Sequence, residues 1–347
     1  MDPRRIALLK PSALGDIVHA LPVLSALRRR FPDSHITWVV NKSYEPLIAG
    51  HPDLTDTLAF DRGAFKKGLR RSLAYSWSFA AELRRRRFDL VIDLQGLLRT
   101  GLMSLASGAP RRVGFANARE GSRSTYTQKV RLPDADRIHA VERYWRVAEA
   151  LGAGDGPKVF HVPVSPEAKA WAAQQLADLP RPLVAFAVGS RWLTKRWPTG
   201  HFAELAKRAQ SEFGGSCLFL GVGDDSPLSL EVMAQLRGPA RNFCGKTTLP
   251  QLAALLASAD VMIANDTGPL HLAAALGRPC VAPYTCTKVA LHGPFGFTSG
   301  GVETSVPCGG SYLKKCDNMI CMPDLTPDRL WVRLAEVLNT CRSSRSA

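Results

Sequence analysis

Short apolar runs alternate with helix-spaced stretches along this chain, and the alternation runs twice. Residues 6–10 (IALLK), 35–40 (HITWVV) and 89–93 (DLVID) read as strands. Between them, 16–31 places Ile17, Leu21, Leu24 and Leu27 at helical spacing, and Pro32-Asp33 stops it. Residues 79–87 read as a further helix. Strand and helix in alternation build a parallel sheet, because each parallel neighbour needs a crossover. The pattern restarts after the loop-rich stretches 152–156 (GAGDG) and 163–166. Helices are expected at 167–177, 201–213, 249–258, 270–276 and 326–341, and strands at 183–188, 216–220, 261–264 and from 280. The boundary falls near 155–180. Two successive open α/β halves imply a cleft faced by the C-terminal ends of both sets of strands.

The chain has 347 residues, enough for two hydrophobic cores without a disulfide or metal staple. Hydrophobic residues at 46% and charged residues at 22% exclude a disordered, collagen-like or coiled-coil chain. No uncharged apolar run reaches the ~18 residues that span a bilayer, and the first residues lack a signal peptide's apolar core. A cytoplasmic location is expected. The eight cysteines there are thiols or metal ligands rather than disulfides.

Net charge is +15, and residues 1–160 carry +11 of it. An acidic partner for the first half is implied: nucleic acid, a membrane surface or a phosphorylated substrate. A basic proteome would give the same figure. A nucleic-acid binder would need an aromatic-interleaved basic surface or a recognition module, and neither is visible.

Three segments carry chemistry. Lys10-Pro-Ser-Ala-Leu-Gly15-Asp16 links the first strand to the first helix, where open α/β sheets bind ligands. Gly15 admits a close backbone, and Asp16 falls at the helix start, where it could equally be a cap. Asn265-Asp266-Thr267-Gly268-Pro269, then His271, follows a strand and opens a helix. Such an N-terminus offers N–H groups to a phosphate, and Asp266 suits sugar hydroxyls; a plain capping loop reads the same. Gly189-Ser190-Arg191 and Lys195-Arg196-Trp197-Pro198 follow a third strand, with cations able to neutralise a diphosphate. There is no Walker A motif, complete dinucleotide fingerprint, HExxH or GxSxG.

With these residues in place, the chain resembles the ADP-heptose:lipopolysaccharide heptosyltransferases of glycosyltransferase family 9. The matching segments are LLKPSALGDIVHALPVL (8–24), DLQGLLRTG (93–101), NARE (117–120), HAVERYW (139–145), TKRWP (194–198) and NDTGPLHLAAALGRP (265–279). They run from end to end in family order.

The resemblance implies the GT-B architecture, two Rossmann-like parallel-sheet domains facing across a cleft. Residues 1–160 would bind the acceptor and 161–347 the ADP-sugar donor, with the closing helix a candidate to pack back on the first domain. It implies Asp16 as catalytic base and Lys195 beside the donor diphosphate. Ser190, Asp225, Asp266, Thr267, Gly268 and His271 would shape the donor site. Ser12, Gly15, Arg99, Arg119, His139 and Arg143 would meet the acceptor. His139 and Arg143 are spaced to share one helix face. The basic runs Lys66-Lys67 and Arg84–Arg87 are less specific and read equally as solvated faces.

The implied reaction is inverting transfer of heptose to the Kdo-lipid A inner core, at the inner membrane surface and without a metal cofactor. Alternatives are another acceptor, such as an outer core sugar or a protein, and a nucleotide-sugar-binding protein without catalysis. Cys308, Cys316 and Cys321 supply three thiolates, one short of a tetrahedral site, with Cys286 or Cys341 as possible fourth ligand. Relatives carry a Cys-rich segment here that commonly begins CxxC, but this chain has Ser305 where its first cysteine would stand.

Overall fold

In the computed structural model the described residues are 2–66 and 68–346, side chains at 66 and 344–346 excepted. Two compact units divide the chain, Met1–Pro163 and Val164–Ala347. Each is built on one six-stranded sheet with every recorded strand pairing parallel.

In the first unit the strands are β1 (Arg5–Leu9), β2 (His35–Asn41), β3 (Asp56–Phe60), β4 (Leu90–Asp93), β5 (Arg111–Phe115) and β6 (Gln128–Val130). Their order across the sheet is β3-β2-β1-β4-β5-β6. The central strand β1 is apolar without alternation because helices cover both faces of a parallel sheet. Ile6, Ala7, Leu8 and Leu9 are all fully buried. Register is set by pairs such as Leu8 with Trp38 and Leu9 with Asp93.

The second unit repeats the plan with β7 (Leu183–Ala187), β8 (Ser216–Phe219), β9 (Ala240–Asn242), β10 (Val261–Ala264), β11 (Cys280–Tyr284) and β12 (Gly301–Glu303). Its order, β12-β11-β10-β7-β8-β9, is the same winding read from the other edge. Both are therefore the doubly wound order in which the chain reverses direction beside the first strand. The reversal lies between β1 and β4 in one unit and between β7 and β10 in the other. The last helix, Pro327–Ser346, drives Leu330, Leu334 and Leu338 into the core of the second unit beside Trp197 and Phe202.

Three expectations shift. The first helix starts at Leu14, two residues before the expected start at Asp16, so Gly15 joins Asp16 in its first turn. The helix expected at 79–87 runs from Leu69 to Arg85. Its first turns bury almost nothing, so they carry no core periodicity. Strands β3, β5, β6, β9 and β12 escaped the sequence reading. They are short and only partly apolar, as RRVGF, QKV and ARN show. Lys67 and the Lys66 side chain lie outside the described residues.

Candidate active site at two strand-order reversals

In the first unit β1 ends at Leu9, and Lys10 turns its side chain into the reversal. The ammonium is buried; Nζ donates to the Leu94 carbonyl beyond β4 at 3.2 Å, bridging the two central strands. It also lies 3.6 Å from Asp16 Oδ1 and 4.7 Å from the centre of the Tyr144 ring. Burial pulls the Lys10 pKa down, while the carboxylates of Asp16 and Asp93 pull it back up. Trp38, fully buried on β2, donates its indole N–H to the Lys10 carbonyl at 3.0 Å and fixes the turn.

Asp16 is the third residue of the helix Leu14–Arg30. Oδ2 accepts the Ala13 N–H at 3.1 Å, the capping contact that an acidic residue at this position makes. Oδ1 accepts the Tyr144 hydroxyl at 2.9 Å, and the side chain stays 41% exposed. The cap and the exposed carboxylate thus coexist in one residue. Burial holds the Tyr144 phenol well above its usual range, so it remains a donor.

His139 stands just before the helix Ala140–Ala150 and caps it, Nδ1 accepting the Val141 N–H at 3.1 Å. Its ring meets His19 edge-on at 5.4 Å. Its carbonyl accepts the Arg143 N–H at 3.0 Å, one turn on. Arg143 sits one turn in, close enough to lower the Lys10 pKa further, with its buried Nε making no hydrogen bond among the described residues.

Ser12, half-buried, lies in the turn between Lys10 and the helix. Arg99, the second residue of the helix Leu98–Ala106 after β4, and Arg119, in the loop after β5, are exposed. Arg99 lies over the Phe60 ring at 5.8 Å, and the Arg119 N–H donates to the Gly96 carbonyl. The segment after β4 is stiffened by Asp93, fully buried at the strand's end, which accepts the Tyr126 hydroxyl at 2.7 Å and the Gln95 N–H at 2.8 Å. Burial raises its pKa and these bonds oppose the rise. Gly114 on β5 makes this possible, because a Cβ there would fall 2.4 Å from the Tyr126 ring.

The second unit bridges its reversal in the same way. Fully buried Asn265, after β10, donates from Nδ2 to the Val188 carbonyl after β7 at 2.8 Å and accepts the Trp197 N–H at 3.0 Å. Asp266 then points into a cage. Oδ2 takes Lys195 Nζ at 2.5 Å and the Thr287 hydroxyl at 2.8 Å, and Oδ1 lies 3.3 Å from His271 Nε2. Burial pushes the Asp266 pKa up, but the His271 hydrogen bond and the Lys195 charge together hold it well below the usual carboxylate range.

Lys195 is also 4.8 Å from the Trp192 ring centre. Thr267 precedes the helix Gly268–Ala275 in an extended conformation and gives no side-chain cap, but its carbonyl accepts the Leu270 N–H at 3.1 Å, and Pro269 between them has no N–H to offer. Beside this cage, Asp225 accepts the Val222 N–H at 3.1 Å and packs against Gly189. A Cβ on Gly189 would fall 1.8 Å from Asp225 Oδ1. Ser190 follows, buried, its carbonyl held by Arg196 at 2.8 Å. Burial raises the Asp225 pKa.

The geometry joins Asp266, Lys195 and His271 in one cage, and sets Ser190 and Asp225 on either side of Gly189. Lys10, Tyr144, Asn265 and Thr287 were not singled out from sequence as site residues. A lysine closing an otherwise apolar strand was the one available signal for Lys10.

Cys308, Cys316 and Cys321, with Cys286, are near enough that burial first and then these thiols raise the Cys321 pKa. Yet among the described residues no three His, Cys, Asp or Glu side chains are arranged to hold a metal ion. Cys308 is exposed and Cys316 turns its thiol onto the Asn318 carbonyl at 3.2 Å, so the loop does not converge its sulfurs.

Known proteins agree with this architecture. Lipopolysaccharide heptosyltransferase 1 of Pseudomonas aeruginosa is 29% identical, over 96% of this chain and 98% of its own. The glycosyl transferase family 9 structure from Veillonella parvula superposes with a TM-score of 0.86 at 26% identity, covering 97% of this chain and 98% of that one. The Escherichia coli ADP-heptose lipopolysaccharide heptosyltransferase II structure gives 0.77 at 27% identity, covering 97% and 99%. The sequence model of glycosyltransferase family 9 (heptosyltransferase) matches residues 76–318. A chain of two doubly wound units with this match belongs to glycosyltransferase family 9, and is a glycosyltransferase of GT-B fold.

Proposed function

We propose that this enzyme transfers heptose from ADP-heptose to the Kdo-lipid A inner core of lipopolysaccharide, with inversion at the anomeric carbon. The observation that carries the reading is Asp16. It is a half-exposed carboxylate at the strand-order reversal of one unit, oriented by Tyr144 and by the Ala13 N–H. Relatives named for lipopolysaccharide heptose transfer support it.

In this mechanism an acceptor hydroxyl of the lipid-borne sugar gives its proton to Asp16 as its oxygen attacks the anomeric carbon. The bond from that carbon to the β-phosphate oxygen breaks, and ADP takes the electron pair. Lys195 and the Gly268 N–H at the start of the helix Gly268–Ala275 offset the charge that develops on ADP. Asp266 holds Lys195 until the diphosphate arrives and then contacts sugar hydroxyls. Asp225 receives the nucleoside. No step requires a metal ion.

The test is turnover of the purified chain with ADP-heptose and Kdo-lipid A, in EDTA, read by mass spectrometry. A product heavier by one heptose is expected. Transfer only to an outer core sugar or a protein in the same panel would replace the acceptor. Dependence on added Mg²⁺ would assign the cationic role to a metal.

A further inference from the structure

The helix Leu69–Arg85 turns three large apolar side chains to solvent: Leu69, Leu73 and Trp77, 77%, 62% and 81% exposed. Their spacing of four residues sets them in one stripe along the helix. The stripe is not a core face, for the helix's core contacts come from Phe79 and Leu83. Farther along the same helix, Phe79, Ala80 and Leu83 wall an apolar groove of about 450 Å³ that reaches Leu102 on the helix Leu98–Ala106. Where the groove ends, Phe65 and Arg99 pass into a second basin of about 790 Å³ lined by polar groups including Asn41 and Arg62.

The charge around the stripe is of one sign. Residues 62–87 hold nine Lys or Arg and a single acidic residue, Glu82. Glu82 is already spent on Arg85 and Arg86 at 2.7 and 2.8 Å. Arg70 and Arg71 are exposed beside the stripe. A stripe of leucine and tryptophan framed by cations is the chemistry of a helix that lies in a bilayer interface, its indole at the headgroup level and its arginines on phosphates.

We propose that the face formed by the helix Leu69–Arg85 and the adjoining groove is a membrane seat, occupied by the headgroup and upper acyl region of an anionic bilayer. The cations select an anionic leaflet, and the apolar side chains enter it. Among the described residues no helix is long and apolar enough to cross a membrane, so the attachment is to one surface. The groove, opening to the polar basin through Arg99, gives a lipid's acyl portion a place beside its charged headgroup. The inference rests on the acceptor reading above only in that a membrane-borne acceptor would need such a seat.

The test uses the full chain and a triple variant, Leu69→Ser, Leu73→Ser and Trp77→Ser, with vesicles of phosphatidylcholine alone or mixed with phosphatidylglycerol. Wild type is expected to float with the anionic vesicles and not the neutral ones, and to be partly released by salt. The triple variant should bind them at least about tenfold more weakly. Its turnover on a deacylated, soluble acceptor should match wild type, because none of the three residues lies in the proposed site. Equal flotation of variant and wild type, or binding indifferent to lipid charge, overturns the proposal. So does a wild-type dimer that the triple substitution converts to monomer without changing flotation, which would make the stripe a contact between copies. Failure of heptose transfer with intact flotation would overturn the acceptor reading and leave the seat standing.

Discussion

Tyr144 donates its hydroxyl to Asp16 Oδ1 at 2.9 Å, tying the helix Ala140–Ala150 to the first turn of a helix 128 positions earlier. A residue from the end of the first unit thus orients the carboxylate at its beginning. Asp16→Asn should lower turnover by about 10²–10⁴-fold while ADP-heptose binding stays unchanged, since a base acts only in the transition state. Tyr144→Phe keeps the ring but loses the orienting bond, so kcat should fall with both KM values steady. Near wild-type turnover in Asp16→Asn would remove it as the base.

Lys195 and Asp266 form a buried pair, 17% and 5% exposed. Losing one partner leaves an uncompensated buried charge. Lys195→Met or Asp266→Asn alone should therefore cost about 3–5 kcal/mol in urea unfolding. The double variant should lose less than the sum. Additive losses would show that the two are not coupled.

The same pair gives a pH signature. The Asp266 carboxyl is held below its usual range in the folded state. Its stabilisation is then complete above the ordinary carboxyl pKa of about 4 and is lost as pH falls through the lower folded value. The difference in Tm between wild type and Asp266→Asn should be constant near neutrality and narrow below about pH 4. A gap that widens on acidification would reverse the assignment.

Gly189→Ala puts a methyl where Asp225 Oδ1 now lies, 1.8 Å from the new Cβ. The obstacle is the end of a side chain, which can rotate away, so the fold should survive with a small change in Tm. Asp225 cannot then keep its place. ADP affinity should fall about tenfold if that carboxylate binds the nucleoside, the scale of one charge-assisted hydrogen bond. Calorimetric titration with ADP reads it, and unchanged affinity would exclude Asp225 from the site.

Arg99 and Arg143 divide the acceptor reading from a structural one. Arg99→Ala and Arg143→Ala should raise acceptor KM more than donor KM, because the lost guanidiniums would hold carboxylates or phosphates of the lipid. Equal effects on both substrates would move them into general folding.

The central strands were legible because a parallel sheet buries both faces and writes continuous apolar runs such as IALLK and LVAFAV. Edge strands such as β6 and β9 bury too little to leave that mark. Asp16, Asp266 and Lys195 could be named because they fall in segments that follow strands, which the sequence shows, and because those segments resemble the family's; position alone left Asp16 and Asp266 readable as caps. Their partners could not. Tyr144 lies inside an amphipathic helix, and Thr287 in a loop after β11, both at large sequence separation from the carboxylates they hold. Only the tertiary fold sets that pairing. The spacing of His139 and Arg143 put them one turn apart, but that the His139 side chain caps the helix was not legible, because a cap depends on the residue at which the helix begins.

Trp192 has two ammonium groups over its ring, Lys195 at 4.8 Å and Lys314 at 5.4 Å from the ring centre. A cation over an indole face perturbs the ring's electronic distribution. If Lys195 leaves Asp266 for a diphosphate, it leaves that ring as well. The proposed donor site would therefore carry its own optical reporter: ADP binding should change the emission of wild type, and Trp192→Phe should remove the change while leaving the other six tryptophans of the chain in place.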